Sequence, residues 1–173
     1  MATYVALLRA INVAGHQMIA MSALRESIAA LGFEDVQTIL QSGNVILRGK
    51  TASTASIEKR LATIFPTDFF VRTEAEWSAL IARNPFTREA KDDPARLVAM
   101  CLRDAPSKDS IAALREAIRG REYLEVHGRE AYIAYPDGQG RSKLTNALIE
   151  KKLATRGTAR NWNTVLRIAA AAE

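Results

Sequence analysis

Cysteine is almost missing from this chain, and the one that occurs, Cys101, has no second cysteine with which to form an intrachain disulfide. A chain without disulfides suits a reducing compartment, so the expected location is the cytoplasm. Cys101 lies in the apolar run Leu97-Val98-Ala99-Met100-Cys101-Leu102, where a thiol is expected to be buried and inert. Histidine is scarce too. His16 and His127 stand far apart in the sequence, and with one cysteine they do not make a His/Cys metal cluster, so neither a metal nor another cofactor is expected. No apolar run approaches the roughly 18 residues of a membrane-spanning helix. Arg9 interrupts the N-terminal apolar stretch, which also lacks the charged start of a signal peptide. No membrane partner is expected. No pair of carboxylates stands out for acid–base work.

What is present describes a soluble, globular chain. Of 173 residues, 48% are hydrophobic and 25% charged, enough for one ordinary domain or two small ones. Lys and Arg number 24 against 19 Asp and Glu, a net charge of +5. That excess favours anionic partners and weak, nonspecific contact with nucleic acid. Most basic residues nevertheless sit beside acids, as in Glu58-Lys59-Arg60 and Arg115-Glu116, the pattern of solvated helix faces.

Apolar periodicity yields a repeated order of elements. Tyr4 to Ala10 has strand length, and Met21, Leu24, Ile28 and Leu31 follow at helical spacing before the stop at Gly32. Val36 to Leu40 and Val45 to Arg48 form two short runs joined through Ser42-Gly43-Asn44, a hairpin signal. Ile57, Leu61 and Ile64 mark a helix behind the caps Ser53 and Thr54, closed by Pro66, and Phe69 to Arg72 is a fourth strand. Thr73 to Glu76 is a capping box for a linking helix that turns Trp77, Leu80 and Ile81 inward and ends at Asn84-Pro85. A strand at Leu97 to Leu102 follows, then a helix with Ile111, Leu114 and Ile118 stopped by Gly120. Tyr123 to Val126 and Ala131 to Tyr135 flank a turn at His127-Gly128. A helix starts near Ser142, and after Gly157 come a short loop and a C-terminal helix with Val165, Leu166 and Ile168 on one side. The segment Arg88 to Pro94 is polar enough for a flexible loop. The expected fold is α+β: two ferredoxin-like subdomains of β-α-β-β-α-β type packed together, plus a C-terminal helix. Residues 1–72 make the first subdomain. Residues 73–173 make the linking helix, the second subdomain and the closing helix.

Strand composition bears on partners. Tyr4, Ala6 and Leu8 alternate with Val5 and Leu7, and Val45 and Leu47 with Ile46. Both faces of the first sheet are therefore apolar and need cover. RNA-recognition modules of this topology leave one face open and stack bases on aromatics, whereas Tyr4 is the lone aromatic of these central strands. Oligomeric state is not specified by any of these patterns.

Two pairs of polar motifs are the candidate sites. Arg9 and Asn12, in the run Leu7 to Gly15, are answered by Ser42 and Asn44 in Gln41-Ser42-Gly43-Asn44. Antiparallel pairing of the first and third strands would bring them to one sheet end, with a helix N-terminus beside them, a setting for a phosphate, a carboxylate or a partner's carbonyl. The same Asn and Ser residues also suit turns that satisfy their own backbone. In the second pair, Ser142 and Lys143 follow the glycine-rich Gly138-Gln139-Gly140-Arg141 and are answered by Arg160 and Asn161. Gly138 to Lys143 suits an anion nest but not a Walker motif, whose glycine spacing and Lys-Ser order it lacks. A Pro136-Asp137-Gly138 turn with a Ser cap explains it equally, as do an Asn161 cap and a core Trp162 for the last motif. His16 near Ser42 lacks an orienting acid, and His127 beside Gly128 suits a turn.

These motifs carry a family resemblance. Leu7-Leu8-Arg9-Ala10-Ile11-Asn12-Val13-Ala14-Gly15, the helix of Met18 to Gly32, Gln41 to Asn44, Asn84-Pro85-Phe86, Ser142-Lys143-Leu144-Thr145 and Thr158 to Val165 resemble, in order, a bacterial family known as domain-of-unknown-function family 1697. The family pattern more often reads Arg-Gly-Ile-Asn-Val-Gly-Gly, so Ala10 and Ala14 stand here where it has glycines. The resemblance implies paired ferredoxin-like subdomains and brings no established activity. Two readings of function follow. One is a binding module for a phosphate-bearing or other anionic ligand, a nucleotide or nucleic acid included, through Arg9, Asn12, Ser42, Asn44, Ser142, Lys143, Arg160 and Asn161. The alternative is an enzyme on a small anionic substrate, with Ser42 or Lys143 active and Asn side chains as oxyanion donors.

Overall fold

The structure, a computed structural model, describes residues 1–9 and 19–173. The chain divides into two compact units: Met1–Ala79 with Arg167–Glu173, and Leu80–Leu166. Each has its own four-stranded antiparallel sheet.

In the first unit the order is β1 (Ala2–Leu8), α1 (Met21–Ala30), β2 (Glu34–Ile39), β3 (Asn44–Gly49), α2 (Thr54–Leu61) and β4 (Phe69–Thr73). The strands lie in the order β2-β3-β1-β4, the ferredoxin-like arrangement. Val5 faces Ile46 and Ala6 faces Val45 across β1 and β3, so Val5 and Val45 share one sheet as expected. Period-two alternation then sorts the side chains. Tyr4, Ala6, Leu8, Val45, Leu47, Phe69 and Val71 meet Leu24 and Ile28 of α1 and Ile57 and Leu61 of α2 in one core. Each fully buried Leu or Ile there contributes about 1.5–3 kcal/mol. Val5, Leu7, Ile46 and Phe70, on the other face, are also buried. That agrees with the two-sided apolar pattern and leaves no open aromatic face for stacking bases. Tyr4 itself is a core residue whose hydroxyl accepts from Ala52 N at 3.0 Å.

The capping box opens α3 (Glu74–Ala82) as the sequence predicts. Glu76 N donates to Thr73 Oγ1 at 3.1 Å, and Thr73 N donates to Glu76 Oε2 at 2.8 Å. The segment Arg88 to Pro94 is not a loop. It holds α4 (Thr87–Asp92), braced by an Arg88–Asp92 ion pair at 3.6 Å, and then a 3-10 turn at Pro94–Arg96. No residue of α4 is buried, so it carries no apolar periodicity to read.

The second unit repeats the first: β5 (Leu97–Leu102), α5 (Lys108–Glu116), β6 (Tyr123–His127), β7 (Glu130–Ala134), α6 (Asn146–Leu153) and β8 (Gly157–Asn161), with sheet order β6-β7-β5-β8. Val98, Met100, Leu102, Ile133 and Tyr135 form its core with Leu114 of α5 and Ile149 and Leu153 of α6. Three local expectations are corrected. The stretch after Gly157 is the fourth strand, not a loop; its Gly-Thr-Ala-Arg-Asn sequence is too short and small to alternate visibly. The helix expected near Ser142 begins at Asn146, because Thr145 is the cap whose side chain accepts from Leu148 N. In the final helix, α7 (Trp162–Ala172), Val165 and Ile168 are buried but Leu166 is 43% exposed. Among the described residues, no helix is long and apolar enough to cross a membrane.

Candidate functional site

Strand order assembles the first polar motif. Leu7 lies opposite Asn44, and Leu8 N donates to Gly43 O at 2.9 Å. The exit of β1 therefore runs beside the β2–β3 turn, and Arg9 neighbours Ser42 at one end of the sheet. The turn needs positive φ at Gly43 (+76°) and, without glycine's freedom, at Leu40 (+60°). The backbone of Arg9 is tied on its other side: Arg9 N donates to Asp68 O at 3.0 Å, and Thr67 Oγ1 donates to Arg9 O at 2.9 Å. The Arg9 side chain is 32% exposed, and its guanidinium stands 3.6 Å from the Asp68 carboxylate. Asp35 pairs elsewhere, with Arg48 at 2.9 Å.

Asn44 is buried, and its amide nitrogen donates to Ile39 O and to Ser42 Oγ, both at 2.8 Å. Its role is to close the turn and orient Ser42, the use that turn chemistry anticipates. Ser42 is exposed beside Arg9. Asn12, together with His16, Ala10 and Ala14, lies outside the described residues.

The second motif is more fully absorbed by the fold. Ser142 Oγ donates to Glu122 Oε1 at 2.5 Å and accepts from Leu144 N at 3.0 Å. Tyr135 Oη secures the same loop by donating to Leu144 O at 3.1 Å, and burial holds that phenol above the usual tyrosine range. Lys143 is exposed. Arg160 sits on β8 opposite Ala99, with Nη1 donating to Thr158 Oγ1 at 2.7 Å and Ala159 O at 2.9 Å. Desolvation pulls its pKa down to about 10. Asn161 Oδ1 accepts from Thr164 N at 3.0 Å, capping α7, and Trp162 is buried.

A surface cleft of about 440 Å³ in the second unit is lined by Arg88, Arg96, Arg121, Tyr123 and Tyr135 among others. Its arginines meet carboxylates: Arg88 faces Asp92, and Arg96 faces Asp93, each at 3.6 Å, while Arg121 is bound to Asp137. The Arg121 guanidinium holds the Asp137 carboxyl below its ordinary range. This balance does not favour an anion. Among the described residues, no group of three or more His, Cys, Asp and Glu side chains could hold a metal, and Cys101 is buried.

Comparisons accord with this architecture. Residues 1–132 match the family model described as Protein of unknown function (DUF1697). The fold is similar to that of the conserved bacterial protein SP0830 from Streptococcus pneumoniae, with a TM-score of 0.76 and 22% identity over 99% of each chain. Among curated proteins none matches this sequence.

Proposed function

We propose a binding function for this chain, which belongs to the DUF1697 family: it is a module for a phosphate-bearing or other anionic ligand, held at the end of the first sheet. The observation that carries the reading is the backbone bond from Leu8 to Gly43 at 2.9 Å. It runs the backbone of Arg9, whose side chain is partly exposed, alongside the turn that carries the exposed Ser42 and is braced by Asn44, which supports a shared site for the guanidinium and the hydroxyl. A guanidinium presents paired donors to phosphate or carboxylate oxygens, and a neighbouring hydroxyl adds a third direction. Asp68 tempers the charge, so the site suits an anion that competes for the same guanidinium.

The test uses inorganic phosphate and adenosine monophosphate as probes, followed by amide shifts of Leu8, Ser42 and Gly43. Arg9→Lys keeps the charge and loses the fork; it is expected to weaken binding about tenfold, the scale of one charge-assisted hydrogen bond, with thermal stability unchanged. Asp68→Asn is expected to tighten binding. Lower stability with unaltered binding in Arg9→Lys would mean that Arg9 serves only its pair with Asp68, and the site would be abandoned.

A further inference from the structure

Tyr123 opens the edge strand β6, is 38% exposed and lines the cleft of about 440 Å³ in the second unit. That volume is in the range of small-molecule sites, roughly 300–1,000 Å³. The Tyr123 ring is held from two sides. Its hydroxyl donates to Glu89 Oε1 at 2.7 Å, and Phe86 meets it edge-on with ring centroids 5.1 Å apart. Phe86 is fixed in turn, its N–H donating to Asn84 Oδ1 at 3.0 Å. A pinned aromatic ring with part of its surface open loses little freedom when an apolar group covers it.

Strand register gives the cleft its length. Tyr123 lies opposite Ala134, and Ala134 opposite Leu97, so the three form one row across β6, β7 and β5. With strands about 4.8 Å apart, the row spans roughly 10 Å from Tyr123 to Leu97. Arg96, next to Leu97 in the chain, lines the same cleft together with Asp93. The two are joined through the 3-10 turn, Arg96 N donating to Asp93 O at 3.1 Å. Arg96 Nη1 donates to Pro136 O at 2.7 Å, which anchors the guanidinium, while its Nε stands 3.6 Å from Asp93 Oδ2. At that separation the pair is an electrostatic contact, longer than a hydrogen bond.

A lone ion entering this pair would take one member and leave the other without its counter-charge. A zwitterion avoids that cost. Its carboxylate meets Arg96, its ammonium meets Asp93, and both protein charges stay compensated. We propose that the cleft binds a free amino acid with an aromatic side chain, its charged end between Arg96 and Asp93 and its ring against Tyr123. The site lies within the second unit and does not rest on the reading at Arg9.

Titration of the full chain with L-phenylalanine, followed by the amide shifts of Asp93, Tyr123 and Ala134, tests it. Saturable shifts at these positions are expected. Phenethylamine lacks the carboxylate and 3-phenylpropionate lacks the ammonium. Each is expected to bind about tenfold more weakly, the scale of one charge-assisted hydrogen bond. Asp93→Asn is expected to weaken L-phenylalanine about tenfold on the same scale, and Tyr123→Ala to weaken it about as much through the lost ring contact. Lys108→Gln removes an exposed charge on α5 and is expected to leave affinity within about twofold. Circular dichroism checks each fold; where a variant fails to fold, the ranking of the three ligands on the wild-type chain decides. Absence of saturable shifts overturns the inference, as does binding of either single-charge analogue as tight as that of L-phenylalanine. A folded Asp93→Asn variant with unaltered affinity, or equal weakening by Lys108→Gln, overturns it too.

Discussion

Asn44 shows what a polar side chain at a turn is committed to. Its identity and its place before β3 were legible in the sequence; the direction of its amide was not, because a ligand and a backbone carbonyl demand the same donor. In the fold it is buried and donates to Ile39 O and Ser42 Oγ at 2.8 Å each. Asn44→Ala would leave the Ile39 carbonyl without that donor. The expected loss is about 1–3 kcal/mol, read from the midpoint of urea unfolding with an unchanged slope. Wild-type stability in this variant would show that the turn does not depend on the amide. Ser142 and Asn161 follow the same logic, bound to Glu122 and to the first turn of α7. Arg160 differs: it is a charge on a sheet strand, lowered in pKa by desolvation, and its surroundings depend on pairings that lie far along the chain.

Elements are legible in the sequence where apolar periodicity is strong and hidden where it is weak. Strands β1, β3 and β5 stand at or near the expected positions because both of their faces are apolar. The helix α4 was hidden, since it buries nothing, and so was β8, whose small residues alternate without contrast. Strand β8 is nevertheless closely fitted to β5. A methyl on Gly157 would meet the Cys101 carbonyl and Met100 Cε, both at 2.8 Å, and Leu102 Cδ2 at 3.0 Å. The carbonyl belongs to a central strand and cannot swing aside as a side-chain tip can. Gly157→Ala is therefore expected to cost about 1–3 kcal/mol through overpacking, seen as a lower melting temperature. Melting together with the wild type would mean that β8 yields at no cost, and the close approach would lose its significance.

At the scale of the molecule, charge and sheet cover set the expectation for nucleic acid. The net charge is +5, while the second face of the first sheet, where bases would stack, is buried at Val5, Leu7, Ile46 and Phe70. Any binding is expected to be sequence-tolerant and dominated by phosphate contacts, with affinity falling steeply as salt rises. Fluorescence anisotropy with short single-stranded and duplex oligonucleotides across a salt series checks this. Tight binding retained at about 0.5 M salt, where phosphate attraction has largely been lost, would reveal a base-reading surface.

The sequence by itself determined the β-α-β-β-α-β order of the first unit and that of the second except for its last strand, with the capping box at Thr73 and the turns at Gly43 and Gly128, because periodicity and turn chemistry are local. It also marked Arg9 and Ser42 as neighbours once the strand order was assumed. Only the tertiary structure decided which polar groups are consumed inside the fold, as Asn44, Ser142 and Asn161 are, and that the acid beside Arg9 is Asp68. It alone brought Gly157 of β8 against the Cys101 carbonyl of β5. Those residues are far apart in the sequence, and nothing local marks them as a pair; backbone hydrogen bonds between distant strands make them neighbours.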